Sequence, residues 1–343
     1  MVVTNTVQPC HFCAEVSKSN GEDPIGSASK CVRFLLIEAP LPWSEQIWLK
    51  AGSMPQEVID AFQVAWDRDI KFRPLAISSD QTTSAKTESI RVLYFSRSSA
   101  QFARFERQEY LITQGELSHL VTALLNQTEQ LSKFQRFRQN NESIRDLLVC
   151  THGNHDVSCG RFGYPLYRTL KQDYATETLR IWRCSHFGGH QFAPTLLDMP
   201  EGRYWGHLEP GILDLLIYRQ GSVADLSPFY RGWAGLAWAE QIAERDIWVK
   251  EGWEWLSYLK SGETLAISDP EADYPDWVDV QIHFCSPDRP YSGTYEARIE
   301  AYREVETMWN SGDLDSIEVI KQYQVTRLVK REHPLQELAK KLA

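Results

Sequence analysis

A short run of predicted strands and helices in the middle of this 343-residue chain limits the folds that it can adopt. Apolar, β-branched and aromatic residues predict two buried strands, at Leu147 to Cys150 and at Thr178 to Cys184. A helix is predicted to open between them at Pro165, because proline is tolerated in the first turn of a helix. Two further strands flank the turn Pro200-Glu201-Gly202 as a hairpin, and a last helix begins at Pro210. The run therefore has the order β-α-β followed by β-β-α.

This order is that of a small thioredoxin-like unit, and the elements around it extend the prediction to the whole chain. Strands alternate with helices before it, which favours an α/β fold, and a Trp-rich helical region mixed with strands follows it. The predicted segments are an N-terminal α/β domain at 1–125, a linker at 126–142, a thioredoxin-like domain at 143–221 and a mixed α+β C-terminal extension at 222–343. Within the extension, Ala297 to Trp309 and Leu335 to Ala343 are predicted helices.

The charge balance limits the expected partners. Lys and Arg total 36 against 46 Asp and Glu, a formal net charge of −10. Nucleic acids and anionic membranes require a cationic face, so neither is an expected partner. No run of 18 apolar residues predicts a transmembrane helix, and Met1 to Asn20 lacks the pattern of a secretory signal. Seven cysteines, an odd number, then fit a reducing compartment, and the predicted location is cytoplasmic.

Two cysteines and two histidines follow the two strands of the β-α-β run. Cys150 ends the first predicted strand, and Cys159 ends the predicted loop after it. His186 and His190 lie in the loop after the second strand. Adjacent parallel strands deliver such loops to the same edge of a sheet, so the four side chains are expected to converge. Two thiolates and two imidazoles suit zinc or an iron–sulfur cluster.

The spacing of these residues leaves three interpretations open. Eight residues separate the cysteines, whereas zinc fingers place two to four between them and put both histidines on one helix. Gly188 and Gly189 argue against a helical histidine pair, and their flexible backbone could approach bridging sulfides closely. From the residues alone the site could hold a cluster, hold zinc, or consist of purely structural thiols and histidines.

Four segments of the chain resemble the sucrase/ferredoxin-like family. Two are the signatures CTHGNHDVSCG, from Cys150 to Gly160, and CSHFGGHQFAPT, from Cys184 to Thr195. The others are the opening block within Cys13 to Trp43 and the motif YRGW, from Tyr230 to Trp233. The resemblance spans residues 10 to 235 in broad terms.

This resemblance implies a thioredoxin-like ferredoxin domain with a [2Fe–2S] cluster. Relatives in this fold bind the cluster with four cysteines, and in the cluster-bearing members of the family a His-x-x-x-His pair replaces the later cysteine pair. Carried over by position, the ligands of the cluster would be Cys150, Cys159, His186 and His190. The loop after Cys150 lacks the basic residues and the further cysteine of many bacterial relatives. The resemblance also implies a cis peptide bond before Pro194.

The other cysteines and histidines near these motifs are predicted to have structural roles and not to bind the cofactor. Cys184 is predicted to be a buried apolar thiol at a strand end. His152 and His155 are predicted to be exposed polar residues of the loop. Cys10 and Cys13 form a Cys-x-x-Cys pair, but a redox dithiol of this kind needs a strand before it and a helix after it, and neither is predicted.

The expected function is that of a redox protein that carries a [2Fe–2S] cluster and transfers one electron, with proton coupling through the histidines and an unknown protein as redox partner. The alternative is a structural zinc-binding protein with a Cys2His2 site and a role in interactions. A sugar hydrolase needs two carboxylates held at a fixed separation, and Asp198, Glu201 and Glu209 show no such arrangement. The chain is therefore expected to be an electron carrier rather than a hydrolase.

Overall fold

Two β-sheets organise the protein. The computed structural model describes residues 11–79, 89–141, 143–287 and 291–334. These residues form a sheet of ten strands, a second sheet of four strands and six α-helices. The predicted mixed α/β class is confirmed.

The ten-stranded sheet contains strands from residue 33 to residue 233. Its strands are β1 (Arg33–Glu38), β2 (Arg73–Ser78), β3 (Ile90–Ser96), β4 (Glu106–Ile112), β5 (Arg138–Gln139), β6 (Arg145–Cys150), β7 (Leu179–Cys184), β8 (Leu196–Met199), β9 (Arg203–Trp205) and β10 (Tyr230–Trp233). Their order across the sheet is β10-β9-β8-β6-β7-β2-β1-β3-β4-β5. β6 and β7 are parallel, β8 is antiparallel to β6, and β9 is antiparallel to β8. The peptide between Ala193 and Pro194, just before β8, is cis as predicted.

Both faces of this sheet are buried because successive side chains of a strand point to opposite faces. In β1, Phe34 and Leu36 belong to one core cluster, whereas Leu35 and Ile37 belong to the other. The helices are α1 (Cys13–Ser19), α2 (Gln56–Asp67), α3 (Gln114–Leu125), α4 (Val157–Asp173), α5 (Leu213–Tyr218) and α6 (Trp238–Glu251). Helices α2 and α3 cover the face of Leu35, and α4, α5 and α6 contribute to the core on the other face.

The four-stranded sheet occupies the C-terminal part of the described chain. Its antiparallel strands, in order across the sheet, are β11 (Leu259–Ile267), β12 (Trp277–Cys285), β13 (Tyr291–Met308) and β14 (Ile317–Pro334). The predicted helix from Ala297 to Trp309 is therefore wrong. Tyr295, Ala297 and Ile299 alternate with more exposed neighbours and pair with β12, which is strand periodicity. The predicted helix from Leu335 to Ala343 lies outside the described residues.

One sheet runs across the predicted linker. β2 pairs with β7 through Ile77 and Cys184, so strands from both sides of residues 126–142 share hydrogen bonds. That segment holds a 3₁₀ helix, Thr128–Phe137, and β5. The predicted domain boundaries at 125, 142 and 221 stay predictions. Across the described ranges, no helix combines the length and the apolar character needed to cross a bilayer.

Candidate metal centre

The two predicted cysteine ligands lie at the same edge of the large sheet. Cys150 is the last residue of β6. Cys159 lies in the first turn of α4, so the predictions that it ends a loop and that the helix opens at Pro165 are wrong. The helix begins earlier because the Asp156 carboxylate accepts a hydrogen bond from the Ser158 backbone N–H at 2.7 Å and caps the helix. Cys159 therefore lies at the N-terminal end of the helix, where the helix dipole is positive.

The structure brings the predicted ligands together in two groups that share a histidine. Sulfur and nitrogen atoms of Cys150, Cys159 and His186 all lie within 4.8 Å of one another. The distance from Cys159 Sγ to His186 Nδ1 is 3.8 Å. Ring nitrogens of His155, His186 and His190 meet the same 4.8 Å limit. His186 therefore links the thiol pair to His190, and all four predicted residues border one small region.

Burial keeps both predicted histidine ligands neutral. It lowers the pKa of His186 to about 2 and lowers the pKa of His190, despite the nearby Asp156 carboxylate. A neutral imidazole has a free lone pair, which a metal ion requires. The Asp156 Oδ2 atom lies 3.3 Å from Nδ1 of His190. A proton on that nitrogen leaves Nε2 of His190 as the lone-pair atom.

The two buried thiols share one hydrogen bond and respond to it in opposite directions. Burial raises the pKa of Cys150. Hydrogen bonds from Cys159 and from backbone N–H groups together lower it by more than burial raises it, so the pKa of Cys150 falls below that of a free thiol. The same contact and burial raise the pKa of Cys159. Cys150 is therefore the first of the pair to become a thiolate, and binding of a metal must displace the proton of Cys159.

A buried arginine from β10 supplies positive charge beside the site. Arg231 is 1% exposed and donates hydrogen bonds to Ser27 and to the Gly188 carbonyl oxygen at 2.8 Å. Burial lowers its pKa to about 10, so the guanidinium stays charged at neutral pH. A Cβ atom at Gly189 would lie 2.2 Å from this guanidinium, which makes glycine necessary there. The YRGW motif therefore places its arginine against the loop that carries the histidines.

Cys13 is a site residue that sequence reasoning missed. Its Sγ lies 3.3 Å from Nδ1 of His190 and 3.3 Å from the Ser158 hydroxyl. Cys13, Asp156 and His190 form a third group of ligand-capable atoms within 4.8 Å. The expectation that no helix follows this cysteine is wrong, because α1 begins at Cys13; Cys10 lies outside the described residues. The small residues Cys13, Ala14 and Ser17, which are buried on one face of α1, were the available signal.

One further cysteine and two further histidines lie near the site. Cys184 is fully buried, as predicted. His155 is exposed as predicted, yet its ring stacks on His186 with centroids 3.8 Å apart. The prediction that His152 is exposed is wrong, since it is 4% exposed and its Nδ1 accepts from the His186 backbone N–H at 3.3 Å. Both rings therefore help to orient His186.

Comparison with known families identifies the class of this chain. The sucrase/ferredoxin-like family model matches residues 24–232, which include the two cysteines and both histidines of the site. Because the match covers more than half of the chain, the protein belongs to the sucrase/ferredoxin-like family.

One curated relative is similar to part of the chain. It is altered inheritance of mitochondria protein 32 of Meyerozyma guilliermondii, which is 30% identical over 123 residues. The match covers 31% of this chain and 43% of the relative, so the chain spans less than half the length of that protein. No solved structure matches the chain.

Proposed function

We propose that this protein is a redox protein that holds a [2Fe–2S] cluster through Cys150, Cys159, His186 and His190 and transfers single electrons. The observation that carries the proposal is the convergence of two buried thiols and two neutral imidazoles at one sheet edge. This donor set fits the cluster, because thiolates and imidazoles are both known ligands of [2Fe–2S] iron.

The strand order supports a thioredoxin-like unit around the site. β9-β8-β6-β7 are neighbours in that order, with β6 and β7 parallel and the other pairs antiparallel. Helix α4 connects the parallel pair, and α5 follows β9. This is the β-α-β, β-β-α order that the sequence predicts.

Residues around the site can stabilise the negative charge that reduction of the cluster adds. When bound, a [2Fe–2S] cluster supplies one-electron transfer, and its reduction adds one negative charge. Arg231 and the first-turn N–H groups of α4 place fixed positive charge and dipoles beside the thiols. Both cysteines are 1% exposed, which keeps water from the sulfur atoms. The protein thereby stabilises the added charge without rearrangement.

The proposed proton coupling depends on the histidines. An imidazole that binds metal through one nitrogen keeps a proton on the other, whereas a thiolate has no second proton. In His190 the Asp156 carboxylate lies 3.3 Å from Nδ1 and can hold that proton in place. The redox partner is proposed to be another protein.

The test is anaerobic purification followed by iron and sulfide analysis, visible absorption and low-temperature electron paramagnetic resonance. We expect iron and inorganic sulfide in equal amounts, and their loss in Cys150→Ser and in Cys159→Ser. Cys285→Ser is the matched control, because Cys285 is a half-buried thiol of β12 in the other sheet. Absence of sulfide from correctly folded protein contradicts the proposal.

A structural zinc site is the second candidate. The compact group of Cys150, Cys159 and His186 within 4.8 Å also suits one tetrahedral ion, with His190 as a fourth donor. Stoichiometric zinc without sulfide in the same analysis identifies this function instead.

A further inference from the structure

A cavity of about 520 Å³ adjoins the two histidines of the proposed cluster site. Its lining includes His186, His190 and the glycines between them, together with aromatic side chains from α6 and the C-terminal sheet. A cavity of this size suits a small organic ligand. A molecule bound there would meet the imidazole side of the site, not the buried thiols.

Aromatic side chains give the cavity a preference for flat ligands. Trp238 and Tyr323 line it with ring centroids 4.9 Å apart, and Phe192, Tyr274 and Trp309 also contribute to the lining. Trp238 is 36% exposed, so part of its ring stays available to a ligand. Planar rings stack on such surfaces with favourable energy.

The charges around the cavity disfavour anionic ligands. Of the described residues that line it, both basic side chains already have partners: Arg231 is bonded to Ser27 and Gly188, and Lys321 donates to Asp276 at 2.7 Å. The carboxyl groups of Glu22, Asp23 and Asp273 line the same space. A nucleotide or a flavin phosphate would therefore bury negative charge without a free cation.

We infer that this cavity binds an uncharged quinone or its hydroquinone and that the ligand exchanges electrons with the cluster through the histidine side of the site. The inference rests on the proposed function. A quinone is flat and carries no charge, so it stacks on aromatic rings and needs no cation to bind. These properties match the aromatic lining and the absence of a free cation among the described lining residues, and the rings of His186 and His190 lie at the wall that faces the proposed cluster.

The electrons balance when each protein molecule donates one electron and each quinone accepts two. One quinone takes one electron from each of two reduced protein molecules and two protons from solvent. The products are one hydroquinone and two oxidised protein molecules. The only co-reactant is the quinone itself.

The binding test uses duroquinone, whose fully methylated ring cannot add thiols. We expect saturable quenching of tryptophan fluorescence in the purified protein with or without its cluster. Trp238→Ala should weaken binding roughly tenfold through loss of one aromatic wall. Trp66→Ala is the matched control, because this half-buried tryptophan of α2 packs on Phe72 in the other core, and it should leave binding unchanged. Trp238→Leu provides a milder variant, with folding checked by circular dichroism.

Negatively charged ring compounds provide the selectivity test. Anthraquinone-2-sulfonate and flavin mononucleotide should bind more weakly than duroquinone by at least roughly tenfold. Equal or tighter binding of either anion, or no saturable binding of duroquinone, overturns the inference.

A second measurement separates the inference from the proposed function. Protein reduced with one equivalent of dithionite should recover its visible absorption on addition of duroquinone, more slowly in Trp238→Ala than in Trp66→Ala. If reduced protein that contains the cluster does not recover its visible absorption with duroquinone, electron exchange is refuted and the cluster proposal stays intact. If correctly folded protein that was purified without oxygen contains no iron and sulfide and still binds duroquinone, the cluster proposal is refuted and the cavity proposal is retained.

Discussion

Cys13 approaches the proposed site without belonging to the predicted ligand set. Burial raises its pKa to about 11, so its sulfur is a neutral thiol at physiological pH. It already has four side-chain partners, which are the Ser158 and Ser311 hydroxyls, the Asp156 carboxylate and the His190 ring. Hydrogen bonding of a ligand, rather than metal binding, is the role that these contacts favour.

We therefore expect Cys13→Ser to keep the cluster, since a hydroxyl replaces the thiol as a hydrogen-bonding group of similar size. The measurement is iron and sulfide per chain, beside Cys150→Ser, for which loss is expected. Colourless Cys13→Ser protein with a native circular dichroism spectrum would show that Cys13 is a ligand.

His207 makes stability depend on pH. It is 8% exposed, its Nε2 lies 3.2 Å from the Ser17 hydroxyl, and burial lowers its pKa to about 4 from the usual 6.5. Between these values the unfolded chain binds the proton and the folded chain does not. The free energy of unfolding is therefore unaffected by His207 above pH 6.5. It falls by roughly 3 kcal/mol as the pH drops from 6.5 to about 4, because only the unfolded chain binds the proton in this range.

His207→Asn removes this titration, and asparagine tolerates the positive φ of 51° at this position. We expect a shallower fall of the unfolding free energy between pH 6.5 and pH 4, measured by urea denaturation at several pH values. His119→Asn, at an exposed position on α3, is the control. Parallel curves for the wild type and His207→Asn would contradict the assignment.

At the scale of elements, α4 packs directly on the strand that carries the first cysteine. A Cβ atom at Gly163 would lie 1.9 Å from the Cys150 carbonyl oxygen, so only glycine permits this approach. Gly115 lies in α3 with no atom within 4 Å of the corresponding position.

Alanine at these two helical glycines should have opposite effects. Gly163→Ala should destabilise the protein by more than about 2 kcal/mol, because α4 must move away from β6. Gly115→Ala should stabilise it by about 0.5–1 kcal/mol through helix propensity. Urea denaturation measures both, and a neutral Gly163→Ala would show that α4 can shift at little cost.

Patterns in the local sequence predict the strands around the proposed site. β6, β7, β8 and β9 follow from apolar runs and one hairpin turn, and the four proposed ligands follow from their places beside these strands. The start of α4 was missed although Asp156 is a local N-cap signal, because Gly160, Gly163 and Pro165 within the helix are residue types that disfavour helices.

Contacts between distant parts of the chain explain the other errors. The predicted helix at Ala297 to Trp309 has charges that suit an exposed helical face, but pairing with β12 and β14 decides its conformation. The positions of Cys13 and Arg231 depend on α1 and β10 meeting the histidine loop from distant parts of the chain. Proximity of this kind is a property of the tertiary structure.

At the scale of the whole molecule, a buried ionic network joins the large sheet to the C-terminal half. Arg203 of β9 donates to Glu244 of α6 at 3.0 Å, and the Tyr230 hydroxyl and the Trp255 ring N–H donate to the same carboxylate at 2.9 Å. Arg203 and Glu244 are at most 2% exposed. Their charges must therefore compensate one another.

Glu244→Gln should destabilise the protein by about 3 kcal/mol or more, because Arg203 then stays buried with no opposite charge. Glu296→Gln is the control, since its partner Arg331 is exposed on the small sheet, and it should leave stability unchanged. The unfolding free energy measures both. Equal effects of the two substitutions would show that the network is not energetically important.

Contacts between the two ends of the described chain bear on how the protein is made. The Cys13 backbone N–H donates to the Ser311 hydroxyl across 298 positions, and the Ser311 N–H donates to Asp156 at 2.9 Å. A ribosome that has synthesised every proposed ligand has not yet produced Ser311. During translation Cys13 and Asp156 therefore lack this partner. The part of the site that they form beside His190 is completed only after residue 311 has emerged.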